Sequence, residues 1–222
     1  LDGANDPDLA EGHAAQQEGD EASVTIGGVT TYYTEFAEAW KKAQEGAAEN
    51  PATVTLLKDV TLTERLTVTS GQNITLTSAK NSDGNDFTMN YAEASASIYS
   101  AIEVNSGTFE LKGGTINVDV ENDNGVSVEN DNGVSVNSDG TFKLTGGAIR
   151  VPGYGTSGVE VSLGTATISG GEITVSGHNG NGVKVSSGTA TITGGTITAN
   201  GAAGYGVIGR ADGTGRKNGG TR

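Results

Sequence analysis

A twelve-residue phrase recurs along the second half of this chain, and its period limits what the chain can fold into. Residues 164–175 read Gly-Thr-Ala-Thr-Ile-Ser-Gly-Gly-Glu-Ile-Thr-Val, and residues 188–199 repeat the pattern 24 positions later as Gly-Thr-Ala-Thr-Ile-Thr-Gly-Gly-Thr-Ile-Thr-Ala. The phrase also occupies 140–151, again offset by 24, and 107–118, offset by 33. The longer step has a visible source: the octet Glu-Asn-Asp-Asn-Gly-Val-Ser-Val stands at 121–128 and, unchanged, at 129–136. Self-similarity at such a period is the mark of units that stack on one another.

Each unit holds three short runs in which apolar and polar residues alternate, such as 183–185, 190–192 and 197–199. Alternation of period two marks a strand with one buried face. Runs this short, closed by Gly or Gly-Gly, leave no room for a useful helix. Three strands and three turns in 24 residues describe one winding of a parallel β-helix, an all-β solenoid. One winding cannot bury its apolar side alone, so windings must stack, at about 4.8 Å each. Stacking predicts interior columns: Ile116, Ile149, Ile173 and Ile197; Leu111, Leu144, Ile168 and Ile192; Phe109, Phe142, Ala166 and Ala190; Val104, Val136, Val161 and Val185. A fully buried Ile or Val contributes roughly 1.5–3 kcal/mol, so these columns carry most of the stability. The pairs Gly113-Gly114, Gly146-Gly147, Gly170-Gly171 and Gly194-Gly195 mark one corner, where the backbone needs positive φ and has no room for a Cβ.

Outside the repeat the chain divides further. Residues 1–22 carry seven carboxylates and no Lys or Arg, and read as a flexible acidic leader. Residues 23–52 read as an N-terminal cap: strands at 24–26 and near 29–33, then a helix over about 35–48 that Thr34 would N-cap. Phe36, Trp40, Ala43 and Ala47 would share its buried face, and Asn50-Pro51 would stop it. Residues 53–209 are assigned to the β-helix, with 53–91 as its first one or two windings. Residues 210–222 read as a frayed or truncated last winding, because Gly215 and Lys217 fall where Ala190 and Ile192 stand one unit earlier.

Composition excludes several classes of function. The formal charge of −14 argues against nucleic acid and anionic membrane surfaces as partners. The absence of cysteine removes disulfides, thiolate metal sites and a cysteine nucleophile. No apolar run approaches the roughly 18 residues of a membrane span, and the chain is expected to be a monomer.

The stretch Val-Thr-Ile-Gly-Gly-Val-Thr-Thr-Tyr-Tyr-Thr-Glu-Phe-Ala-Glu-Ala-Trp-Lys-Lys-Ala at 24–43, with Thr-Val-Thr-Leu-Leu-Lys-Asp-Val-Thr-Leu at 53–62 and Asn-Ile-Thr-Leu at 73–76, resembles the start of pectate-lyase-like β-helix domains in large surface proteins of gut bacteria. With the Gly-Gly repeats, the resemblance covers about residues 24–209. It implies a right-handed parallel β-helix, in a superfamily that includes polysaccharide lyases, polygalacturonases, adhesins and autotransporter passengers. Its surface-protein branch implies extracellular display, adhesion or glycan contact.

Polygalacturonase-type members carry Asn-Thr-Asp, Asp-Asp, Gly-His-Gly and Arg-Ile-Lys stretches. This chain has neither of the first two, and Gly177-His178-Asn179 matches the third only in part, so that activity is not expected. The weak catalytic candidates are Glu103 and Glu160, which the repeat places two windings apart on an outward column, about 9.6 Å along the axis. Lys184, one winding beyond Glu160, favours a surface ion pair instead, and Arg150 with Glu172 suggests a second. Metal sites are not expected. The oxygen-rich stretches 121–125 and 129–133 would suit Ca²⁺, yet they lack EF-hand spacing, and Asn-Gly turns account for them.

Two corners of the winding are monotonous and the third varies: 119–133, 152–158, 176–182 and 200–206. Stacking would line these loops along one edge bearing Asp123, Asp131, Tyr154, His178, Asn179, Asn181 and Tyr205. Aromatic rings among carboxamides and carboxylates suit the CH faces and hydroxyls of sugars, and rigid scaffolds place binding in their loops. The expectation is a non-catalytic extracellular domain that adheres to, or binds, a glycan or host-surface ligand through this edge. The alternatives are a polysaccharide lyase or hydrolase and a passive stalk.

Overall fold

The computed structural model describes residues 12–92, 100–118 and 132–209, together with the main chain of 214–217. The chain is mainly β, with one helix among the described residues, and its strands stack into three parallel sheets as in a solenoid-like β-helix. The first sheet begins with the hairpin β1 (Ala22–Ile26) and β2 (Val29–Tyr33), followed after helix α1 (Phe36–Ala43) by β3 (Ala52–Leu56). It continues with β6 (Asn73–Ser78), β9 (Thr108–Leu111), β12 (Thr141–Leu144), β15 (Thr165–Ile168), β18 (Thr189–Ile192) and β21 (Thr214–Lys217). The second stacks β4 (Val60–Leu62), β7 (Thr88–Tyr91), β10 (Thr115–Val118), β13 (Ala148–Val151), β16 (Glu172–Val175) and β19 (Thr196–Ala199). The third stacks β5 (Leu66–Val68), β8 (Ser100–Asn105), β11 (Asn132–Asn137), β14 (Ser157–Val161), β17 (Asn181–Val185) and β20 (Tyr205–Gly209). From β3 onward the chain visits the sheets in fixed rotation, so each strand pairs with its counterparts one step earlier and one step later.

Register follows the repeat. Ile116, Ile149, Ile173 and Ile197 pair in sequence on the second sheet, Val104, Val136, Val161 and Val185 on the third. On the first sheet Phe109, Phe142, Ala166 and Ala190 pair in order. All but Ile197 are buried, and Ile197 lies half-buried against the core near its far end. The Phe109 and Phe142 rings stack at 6.0 Å, and alanines continue their column. Gly215 and Lys217 take the register positions of Ala190 and Ile192.

The Gly-Gly corner is fixed by backbone crowding. Gly171 has φ +73°, and a Cβ there would press on the Gly146 carbonyl at 2.7 Å. Its partners Gly114, Gly147 and Gly195 share the positive φ.

The N-terminal end is closed differently. β1 pairs antiparallel with both β2 and β3, and α1 buries Phe36, Ala39, Trp40 and Ala43. Trp40 meets Phe109 edge-on at 6.3 Å and so covers the aromatic column. The helix is shorter than the periodicity predicts: the chain turns at Gln44–Gly46, Ala47 pairs with Gln72, and Ala47 is exposed. Nor does Thr34 cap it. The Phe36 N–H donates instead to the Glu21 carboxylate at 2.7 Å, which sets a negative charge against the helix N-terminus. Part of the expected leader also packs. His13 and Tyr32 exchange both main-chain hydrogen bonds, and the buried Asp20 carboxylate lies 3.0 Å from His13 Nε2 and accepts from the Gln17 N–H. A count of charges cannot see a carboxylate matched by a histidine seven positions away. Burial raises the pKa of the Tyr33 phenol, beside this segment, above its ordinary value.

Candidate functional site

The variable corner lies between the second and third sheets. Main-chain bonds run from rung to rung there, from the Gly155 N–H to the His178 carbonyl and from the Asn179 N–H to the Ala202 carbonyl, both at 2.9 Å. A turn closes each later rung, with Gly180 N–H donating to the Gly177 carbonyl and Gly204 N–H to that of Gly201. In the earlier rung the Thr156 hydroxyl does the same work, donating to the Gly153 carbonyl at 2.9 Å. The loops vary in sequence yet share a backbone: Gly155, Asn179 and Ala203 occupy equivalent positions and all have positive φ.

That frame sets Tyr154 over His178. Their rings lie 5.4 Å apart and within 5° of parallel, and Asn179 Nδ2 donates to the Tyr154 hydroxyl at 2.8 Å. Both rings are exposed. The next rung carries Ala202 at the equivalent place, so no ring of this column continues the stack.

The structure puts Asn181 and Tyr205 elsewhere than in the corner loops. Each opens a strand of the third sheet, on a register row that runs Ser100, Asn132, Ser157, Asn181, Tyr205. Tyr205 is well exposed. Asn132 is buried: its Oδ1 accepts the Ser157 N–H at 2.7 Å, and its Nδ2 donates to Glu160 at 2.8 Å. Ser157 and Asn132 lie in consecutive strands, so the interaction stitches the row. Asp123 and Asp131, and most of the two oxygen-rich stretches, fall outside the described residues. Among the described residues no three acidic or histidine side chains are placed to hold a metal ion.

On the outer face of the third sheet, Glu103, Ser135, Glu160 and Lys184 follow one another in register. Lys184 Nζ sits 2.8 Å from Glu160 Oε1, the ion pair the spacing suggests. Arg65, from the turn before β5, lies 2.8 Å from Glu103 Oε2, and Asn137 Nδ2 donates to Glu103 Oε1 at 3.0 Å. Because Ser135 is small, the column dips between the two glutamates, and a groove of about 390 Å³ opens there. Both oxygens of both carboxylates are held by donors, Glu103 by Arg65 and Asn137 and Glu160 by Lys184 and Asn132. The expected Arg150–Glu172 pair does not form. Glu172 is in register with Ala148, not Arg150, and accepts from the Thr174 hydroxyl at 3.0 Å.

Sequence reasoning overlooked Asn132, Asn137 and Arg65. Asn132 stands in an Asn-Gly pair that reads as a turn. The signal that finds it is position: in each later unit the residue just before the corner glycine opens the third-sheet strand. Arg65 lies in a winding that lacks the repeated phrase, so no register could be assigned to it.

No helix among the described residues is long and apolar enough to cross a membrane. Comparison with protein-family models, curated proteins and solved structures finds no match to this chain.

Proposed function

We propose that the chain is a non-catalytic extracellular domain that binds glycan or a host-surface ligand along its variable edge, on a right-handed β-helix of the pectate-lyase-like kind. The observation that carries this reading is the exposed, parallel Tyr154–His178 pair, with Asn179 tied to the phenol. A ring face flanked by a carboxamide offers a sugar CH contact and hydroxyl hydrogen bonds together. The pair is positioned by main-chain bonds to neighbouring rungs, so little ordering is lost when a ligand arrives. The domain acts as a monomer in this reading, and the net charge of −14 keeps it from nucleic acid.

A glycan array tests the proposal. Wild-type protein should mark a restricted set of glycans, and the double variant Tyr154→Ala with Tyr205→Ala should lose at least tenfold in signal while keeping its melting temperature within a few degrees. No ligand for wild type, or equal signals for both proteins, overturns it.

A further inference from the structure

We infer that the groove over Ser135 is a second contact point for the same ligand, and that it takes an uncharged sugar rather than an acidic one. This rests on the glycan reading above. The groove lies around the corner from the Tyr154–His178 pair, and the row Ser100, Asn132, Ser157, Asn181, Tyr205 joins the two places along the start of the third sheet.

Three features define its chemistry. First, the lining is polar and, among the described residues, aromatic-free, with Glu103 and Glu160 one rung to either side of Ser135. Each carboxylate oxygen accepts one donor from the protein and keeps lone-pair capacity for another, which suits ligand hydroxyls. Second, carboxylates outnumber cations two to one among the described lining residues, and the one cation, Arg65, is already paired with Glu103. Lys184 is bonded to Glu160 from the next rung. A uronic acid would therefore meet two anions and one guanidinium already paired to an anion, whereas a neutral sugar meets acceptors and carboxamides. Third, Ser100 forms part of the wall, is 1% exposed, and has a hydroxyl with no hydrogen-bond partner among the described residues. Buried hydroxyls in folded proteins are ordinarily satisfied, so an orphan in a groove wall points to a partner that the protein itself does not supply.

The test is calorimetric titration of the intact chain with neutral hexasaccharides of gluco, manno and galacto configuration and with oligogalacturonate. At least one neutral sugar should bind, and oligogalacturonate should bind at least tenfold more weakly. Ser135→Lys, which fills the dip and places its ammonium between the glutamates, should weaken the neutral sugar at least tenfold. Ser100→Ala should weaken it several-fold without lowering the melting temperature, which a purely structural hydroxyl would not do, and it decides the matter if the lysine variant fails to fold. The inference is overturned if oligogalacturonate binds equally well or better, or if both groove variants bind as wild type. In the latter case, loss of binding in Tyr154→Ala would leave the edge reading standing and remove only the groove. Silence from every sugar would remove both.

Discussion

The Gly-Gly corner and the variable corner are built on the same period, yet their sequences behave in opposite ways. At the first, four rungs repeat one dipeptide: at Gly146-Gly147, Gly170-Gly171 and Gly194-Gly195 a Cβ at either position would run into the carbonyls of the rung before, and at Gly113 it would press on the Thr77 hydroxyl. At the second, Tyr154, His178 and Ala202 share one position. The comparison teaches that, across the three described rungs at 152–158, 176–182 and 200–206, the variable corner is variable only in side chain. Its backbone repeats as faithfully as its neighbour's: Gly177 sits where a Cβ would collide with the Gly153 carbonyl, and Gly201 stands in the same relation to Gly177. A fixed frame with interchangeable side chains is what a binding edge requires.

The sharpest test of that contrast is Gly171→Val at the Gly-Gly corner. A β-branched side chain at positive φ costs about 1–2 kcal/mol, and overpacking against the Gly146 carbonyl costs about 1–3 more, so the urea midpoint should fall steeply. Gly177→Ala, at the variable corner, keeps an ordinary φ but would set its Cβ far inside van der Waals contact with the Gly153 carbonyl oxygen, so crowding alone should cost at least about 1–3 kcal/mol. A neutral result there would show that this corner has a slack backbone and would dissolve the comparison.

These contrasts show how far the sequence could be read. Ile149, Ile173 and Ile197 align because identical phrases force identical register, and the periodic half of the molecule was legible for that reason. The cap was less so. Helical spacing through Ala47 survives on paper, but the turn at Gln44–Gly46 and the pairing of Ala47 with Gln72 are tertiary decisions that propensity does not contain. At the candidate site, Tyr154, His178 and Asn179 were placed together by counting, since rung and position suffice. Asn132 was hidden because Asn-Gly signals a turn, while here the asparagine side chain spends its amide on Glu160 and its oxygen on the next strand. The dip at Ser135 shows only once both neighbours are known to be longer.

Smaller effects sharpen the contrast from the side-chain direction. Tyr154→Ala removes one ring of an exposed stacked pair, worth about 0.5–1.5 kcal/mol, so thermal denaturation should shift by only a few degrees while ligand binding falls away. Ala203→Gly should move stability the other way, by about 0.5–1 kcal/mol, since it relieves an alanine at φ +59°. A loss of stability on that change would mean the shared backbone of the corner is not held as described.

The central claim is that successive windings stack in register, and engineered disulfides test it most directly because the chain has no cysteine of its own. Thr167 and Thr191 pair across β15 and β18; replaced together by cysteine, they should lie within the roughly 4.4–6.8 Å Cα separation of a disulfide and cross-link nearly completely under mild oxidation of the folded protein. Thr167 with Thr193, two residues out of register, should remain largely reduced under the same conditions. Efficient cross-linking of the second pair, or failure of the first in folded protein, would contradict the stacking on which the edge, the groove and the cap all depend.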